Sequence, residues 1–200
     1  SAAKKYDQAV EVLDVLIQRF SGDLELLLMQ ATSLKQAEKP DLAVEKAMLY
    51  LEKSQKDEYA YIRTARMLEK LDQKEAAAKV FASMIEIFPD SISSREVYAD
   101  FLYNNDKKEQ AIEILVKLAE EPDRDVFMRT CKTLNSFGKS ETTLEVISAN
   151  IERYKTEPVV LALAVETALR AKANEKAIEW ALARLEVSND LELVSGSVDL

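Results

Sequence analysis

The stretch KEAAAKVFASMIEIFPDS, residues 74–91, decides the fold. It reads as one helix. Acidic Glu75 sits in the first turn, where it meets the positive end of the helix dipole. Small Ala77 and bulky Phe81 stand one turn apart on a single face. Pro89 has no N–H to donate and stops the helix. The same order recurs up and down the chain. The small residue returns at Ala9, Ala43, Ala77, Ala111, Thr143 and Ala177, at steps of 34, 34, 34, 32 and 34. Four residues on, a second column holds Leu13, Ala47, Phe81, Leu115, Ile147 and Ala181. Val10, Val44, Ala78, Ile112, Leu144 and Ile178 follow the small column directly. Spacings of one and four residues put these columns on one helical stripe.

Upstream of each block lies a partner helix with its own small column, Ala31, Ala65, Ala99, Cys131 and Val165. Three residues later come Leu34, Leu68, Leu102, Leu134 and Ala168. A small residue lets two backbones approach, and the leucine fills the space beside the contact. Short polar turns, such as Asp72-Gln73-Lys74 and Gly138-Lys139-Ser140, join the paired helices. Breaks at Ser21-Gly22-Asp23, Ser54-Gln55-Lys56-Asp57, Pro89-Asp90-Ser91, Pro122-Asp123 and Thr156-Glu157-Pro158 separate the pairs. The spacing predicts eleven helices: a lone one over 5–20, then repeats over 24–57, 58–91, 92–123, 124–157 and 158–191. The tail 192–200 follows, with Asp190 to Val194 expected to start another first helix and the last residues to fray.

Composition agrees with an all-α chain. Apolar residues make up 48% and charged residues 32%, with only three Gly and four Pro. A net charge of −9 without a Lys/Arg block argues against nucleic acid, whose phosphates need a basic face. No apolar run approaches the roughly 20 residues of a membrane span. The single cysteine, Cys131, can form no intrachain disulfide and reads as a small packed hydrophobe. There is no histidine and no glycine-rich phosphate loop. His-based triads, His metal sites and Cys-rich clusters are thereby excluded. The residues therefore predict a protein that is not an enzyme and that carries no metal or cofactor. Residues 1–5 hold no signal-peptide core and no initiating Met, which points to a processed chain or a piece of a longer array. A cytoplasmic location is expected, with the periplasm or another soluble compartment left open.

A 34-residue helix-turn-helix with these small, bulky and Pro landmarks resembles the tetratricopeptide repeat family. Tyr61, Ala65, Leu68, Ala77, Phe81 and Pro89 fall on its spacing. Departures occur at Arg95, where an aromatic is usual, at Thr143 in the alanine column, and at Asn150 and Arg184 in an apolar one. The resemblance implies a right-handed α-solenoid of antiparallel helix pairs, one domain over 1–200, with the first helices lining a concave wall. It also implies a protein-interaction scaffold. Some members of the family grip the C-terminal carboxylate of chaperone tails with Lys and Asn on that wall. Here the matching positions offer only Arg66 and Lys132, with Glu96 and Asp100 between them, so no such clamp is expected.

Helical geometry selects the wall residues, one turn apart and opposite the paired helix. They are Leu28, Thr32 and Lys35, then Tyr59, Ile62, Arg66 and Glu69. Glu96, Asp100 and Tyr103 follow, then Met128, Lys132 and Asn135, and last Ala162, Glu166 and Leu169. Tyr59, Ile62, Tyr103 and Met128 among Arg66, Glu96, Asp100 and Lys132 make a groove for a peptide or helix: apolar anchors ringed by charge. The competing reading packs Tyr59 and Met128 against neighbouring repeats. A structural segment that self-associates through open ends, or a regulatory domain attached to a catalytic module, stands as the alternative function.

Overall fold

The computed structural model describes the backbone of residues 2–54 and 57–196, and the side chains of 5–54 and 57–188. Gln55 and Lys56, in the first predicted inter-pair break, lie outside the described residues, as do 197–200 of the predicted fraying tail. The described residues form eleven α-helices and one 3₁₀ turn, with no strand. The helices are α1 Ala2–Arg19, α2 Glu25–Gln36, α3 Pro40–Lys53, α4 Glu58–Lys70, α5 Lys74–Ile87 and α6 Ile92–Asn104. They continue with α7 Lys108–Leu118, α8 Arg124–Ser136, α9 Ser140–Asn150, α10 Pro158–Arg170 and α11 Asn174–Gly196. The fold is an all-α helical repeat.

The chain divides into two compact units, Ser1–Asn105 and Asp106–Leu200. The division falls inside the pair expected over 92–123. A column register is local and does not report how tightly successive pairs cluster.

One turn design joins the paired helices. Glu38, Asp72, Asp106, Gly138 and Lys172 all have left-handed backbone, with φ between 58° and 71°. At four of these turns two hydrogen bonds close the helix. The N–H of Glu38 donates to the Lys35 carbonyl at 3.0 Å, and that of Lys39 to the Leu34 carbonyl at 2.9 Å. Asp72 and Gln73, Gly138 and Lys139, and Lys172 and Ala173 repeat the pattern. Carbonyls that the helix end would leave bare are thus satisfied by the chain reversal itself. The first helices α4, α6 and α8 start differently. The Asp57 carboxylate accepts from the Tyr59 N–H, the Ser91 hydroxyl from the Ser94 N–H, and the Asp123 carboxylate from the N–H groups of Asp125 and Val126. Second helices α3, α5, α7 and α9 follow Lys39, Gln73, Lys107 and Lys139 and have no side-chain cap.

In the first unit the repeat columns form the core. Ala31, Ala43, Ala65 and Ala77 have no exposed surface, and Phe81 is 1% exposed. The Phe81 ring lies 4.8 Å from Phe101 and 6.0 Å from Tyr98, centroid to centroid, and Tyr61 meets Phe88 edge-on at 6.1 Å. Polar ties recur at one repeat's distance. The Ser94 hydroxyl donates to the Glu58 carboxylate at 2.7 Å, and Lys39 pairs with Asp7 at 2.8 Å.

In the second unit Phe127 is fully buried and stacks on Tyr154 at 4.7 Å. Thr143, in the alanine column, is buried because its hydroxyl donates to the Lys139 carbonyl one turn back. Asn150, in an apolar column, donates to the Val146 carbonyl at 2.9 Å. α9 ends there, and the chain tightens into the 3₁₀ turn Ile151–Tyr154. Two expectations need correction. Val165 is only half-buried, and Ala164 takes the fully buried place beside it, since the smaller side chain permits the closer approach. Asp190 to Val194 does not begin a new helix. α11 runs unbroken through Gly196, and no Pro or Gly interrupts it before that residue.

Candidate functional site

On the first unit, α2 and α4 enclose a depression of about 280 Å³. Leu28, Met29 and Met67 supply its apolar surface, and Arg63, Arg66, Lys70 and Glu25 its charges. Side-chain chemistry ties the two helices together. Arg63 makes a two-pronged pair with Glu25, Lys35 donates to the Lys70 carbonyl, and the Thr32 hydroxyl lies 3.9 Å from the Met67 sulfur. The Arg63 guanidinium also lies 5.6 Å from the Tyr50 ring and 5.5 Å from the Tyr59 ring. Cation–π attraction holds it between the two.

A second depression, of about 440 Å³, lies between α4 and α6. Phe81, Val97 and Phe101 form its floor, while Arg66, Glu69, Lys70, Asp100 and Asn104 surround it. Two carboxyls here are pushed above their ordinary range. For Asp100 the main cause is crowding out of water; Arg66 pulls its pKa down and Glu96 pushes it further up. Glu69 is raised chiefly by the same crowding, against the pull of Arg66 and Lys74. Arg66 is therefore the shared counter-charge of an acidic cluster, as opposite charges within a few ångströms require.

The sequence-selected residues of this unit fall as follows. Arg66, Glu96, Asp100 and Glu69 come together electrostatically. Leu28 is buried and forms part of the apolar lining of the first depression. Tyr59 is 61% exposed and stands under Arg63, outside the lining of both depressions. Ile62 and Tyr103 are half-buried. Arg63, Met67 and Lys70 were missed. Their signal was available: one helix presents Arg63, Met67 and Lys70 at i, i+4 and i+7, all on the side turned to the preceding first helix.

On the second unit, Met128 is half-buried and Lys132 exposed on α8. Asn135 is a structural link, its amide donating to the buried Thr167 hydroxyl at 2.8 Å. Glu166 pairs with Arg170 at 2.7 Å along α10. Cys131 is buried and its thiol is pushed up to about 12 by burial, which removes any thiolate character at neutral pH. Among the described residues no cluster of acidic and cysteine side chains could hold a metal ion, and no helix is long and apolar enough to cross a membrane.

Comparison with known proteins adds three findings. A family model described as the tetratricopeptide repeat matches residues 59–91. The C-terminal part of a TPR repeat-containing protein from Cytophaga hutchinsonii has a similar structure at 14% identity. The match covers 93% of this chain and 75% of that one, with a TM-score of 0.56. MamA, residues 41 to the end, from Desulfovibrio magneticus RS-1, aligns over 84% of this chain and 96% of its own at 14% identity and a TM-score of 0.46. No curated protein sequence matches.

Proposed function

We propose that the chain is a tetratricopeptide repeat protein, on the family-model match over residues 59–91, and that it is a non-enzymatic interaction scaffold binding a peptide or short helix across α2, α4 and α6. One observation carries the reading. Arg66 and Lys70 line both depressions of the first unit, which therefore form one continuous face. An apolar ligand side chain would cover Leu28, Met29 and Met67, and a ligand polar group would meet Arg66 between Glu69 and Asp100. The neighbouring acids weaken the site for a terminal carboxylate, so an acidic C-terminal tail is a poor ligand.

The test is selection from a displayed random peptide library on the full chain, followed by titration of the selected peptides. Arg66→Glu should weaken binding by at least about tenfold, equivalent to roughly 1.4 kcal/mol. Thermal melting should be unchanged. Selected peptides that bind the variant as well as the natural chain would place the site elsewhere. Tight, salt-sensitive binding of an acidic C-terminal tail would overturn the expected preference.

A further inference from the structure

We propose that the outer face of α3 is a second docking surface, for an apolar helix of a partner protein that carries Lys or Arg beside its apolar side chains. A depression of about 400 Å³ lies along α3, lined by Glu45, Met48, Leu49, Leu51 and Glu52. None of these residues lines the depressions at α2, α4 and α6. Glu45, Met48, Leu49 and Glu52 stand at i, i+3, i+4 and i+7, one helix face over two turns. Met48 is 41% exposed and Leu49 half-buried. Leu42, two turns before Leu49, is 46% exposed.

The repeat does not require these side chains. Met48 and Leu49 correspond to Ala82 and Ser83 on α5, to Val116 and Lys117 on α7, and to Ser148 and Ala149 on α9. Ala82, Ser83, Lys117 and Ala149 are exposed, so the positions look outward wherever they recur and small or polar residues serve there. Leu42 corresponds to Ala76, Gln110 and Thr142. Of these four second helices, α3 alone places large apolar side chains at all three positions. It packs against α2 and α4, so its outer face is not the open end of a stack. Clustered apolar side chains that the fold leaves in water mark a contact surface.

The charges choose the occupant. Asp41, Glu45 and Glu52 are exposed along this face, while Lys46 and Lys53 lie on the flank beyond Leu49. A second copy presenting the same face would set these acids against their own counterparts, and like charges across a contact penalise it. A basic apolar helix instead covers Met48 and Leu49 and brings its cations to Glu45 and Glu52. Recognition of one helix by another uses anchors at this same i, i+3, i+4, i+7 spacing.

Fluorescence-anisotropy titration of the full chain with a labelled synthetic helix tests the proposal. The probe is an alanine-based helix with leucines along one face and lysines flanking them, and its control carries glutamate at every lysine position. The lysine probe should bind, and the glutamate control should bind at least about tenfold more weakly. Met48→Ala with Leu49→Ser, which writes the α5 residues into α3, should weaken the lysine probe at least about tenfold. Glu45→Lys, which copies Lys79 of α5, should weaken it about fivefold. Circular dichroism verifies folding, and the exposed Glu45 site keeps the test decisive if the apolar double variant unfolds. A natural chain that leaves the lysine probe unbound at about 1 mM overturns the proposal. So does equal binding of the two probes, or a folded variant that binds the lysine probe as the natural chain does.

Discussion

Helix α5 of the first unit is apolar at two repeat positions where α9 of the second unit carries threonine and asparagine. Ala77 in the first corresponds to Thr143 in the second, and Met84 to Asn150. Both arrangements keep the period. In the first unit, rings meet around Phe81 and the helices close by packing. In α9 of the second, the Thr143 hydroxyl and the Asn150 amide reach backbone carbonyls one turn back, and the helix gives way to a 3₁₀ turn. A repeat needs small volume and satisfied hydrogen bonds at its contact points; it does not need one residue type there.

The strongest challenge to this contrast is to remove the large ring on each side. Phe81→Ala and Phe127→Ala should each cost about 3–5 kcal/mol in urea unfolding, because both sites are closed to water. A small loss at Phe127 would mean that the polar links, and not the ring, hold the second unit together. Next in size is Asn135→Ala, which leaves the buried Thr167 hydroxyl without its amide donor. A loss of about 1–2 kcal/mol is expected by the same measurement. A neutral result would remove the polar half of the comparison.

The left-handed turns offer a paired test of about 1 kcal/mol in opposite directions. Gly138→Lys should destabilise and Lys172→Gly should stabilise, measured by thermal melting. Nothing lies within 4 Å of a Cβ built at Gly138, so the first effect is conformational and not a clash. Equal signs would show that the two turns are not equivalent.

Smaller still are two pH effects of opposite sign, one from each unit. Two backbone N–H groups hold the Asp123 carboxyl below its ordinary value, the Val126 N–H making the larger contribution. Its stabilisation is present above the unfolded-state Asp value and is lost as pH falls through the lower, folded one. The melting difference between Asp123→Ala and the natural chain should therefore shrink from pH 7 toward about pH 2. Asp100 is raised, so its ionised form costs stability at neutral pH, and the cost disappears as pH falls through the raised value. Asp100→Asn should raise the melting temperature slightly at pH 7 and leave it unchanged near pH 3, below the ordinary Asp value of about 3.9. A pH-independent difference at either site would remove its electrostatic explanation.

The smallest effect is at Arg66. Arg66→Glu should change unfolding free energy by no more than about 0.5 kcal/mol, since an exposed charge contributes little to folding. A large loss would mean that the first unit depends on Arg66 to balance Glu69 and Asp100, and that the face is part of the fold before it is a binding surface.

Much of the fold was legible in residue spacing. Helix number and the core alanines follow from a 34-residue period that any helix with a buried stripe must express. Of the candidate site, Arg66 with its acids was legible, because i and i+4 positions define a helix face. Arg63 and Met67 were not, because their importance lies in Glu25 and Thr32, which are 38 and 35 residues away. Tyr59 reads as an anchor in sequence and stands beneath a guanidinium in the structure. Counting repeats makes Asp190 to Val194 the start of a new helix, yet no residue there stops the old one.

By itself the sequence determined that the chain is an all-α repeat, since apolar periodicity and the absence of strand and turn clusters leave no other way to bury its surface. Only the tertiary structure decided where the chain divides into units and which polar residues stand in for missing apolar ones. It alone showed that Arg63 and Met67 tie α4 to α2. Period is a property of one helix at a time; burial and electrostatic pairing exist only once separate helices have met.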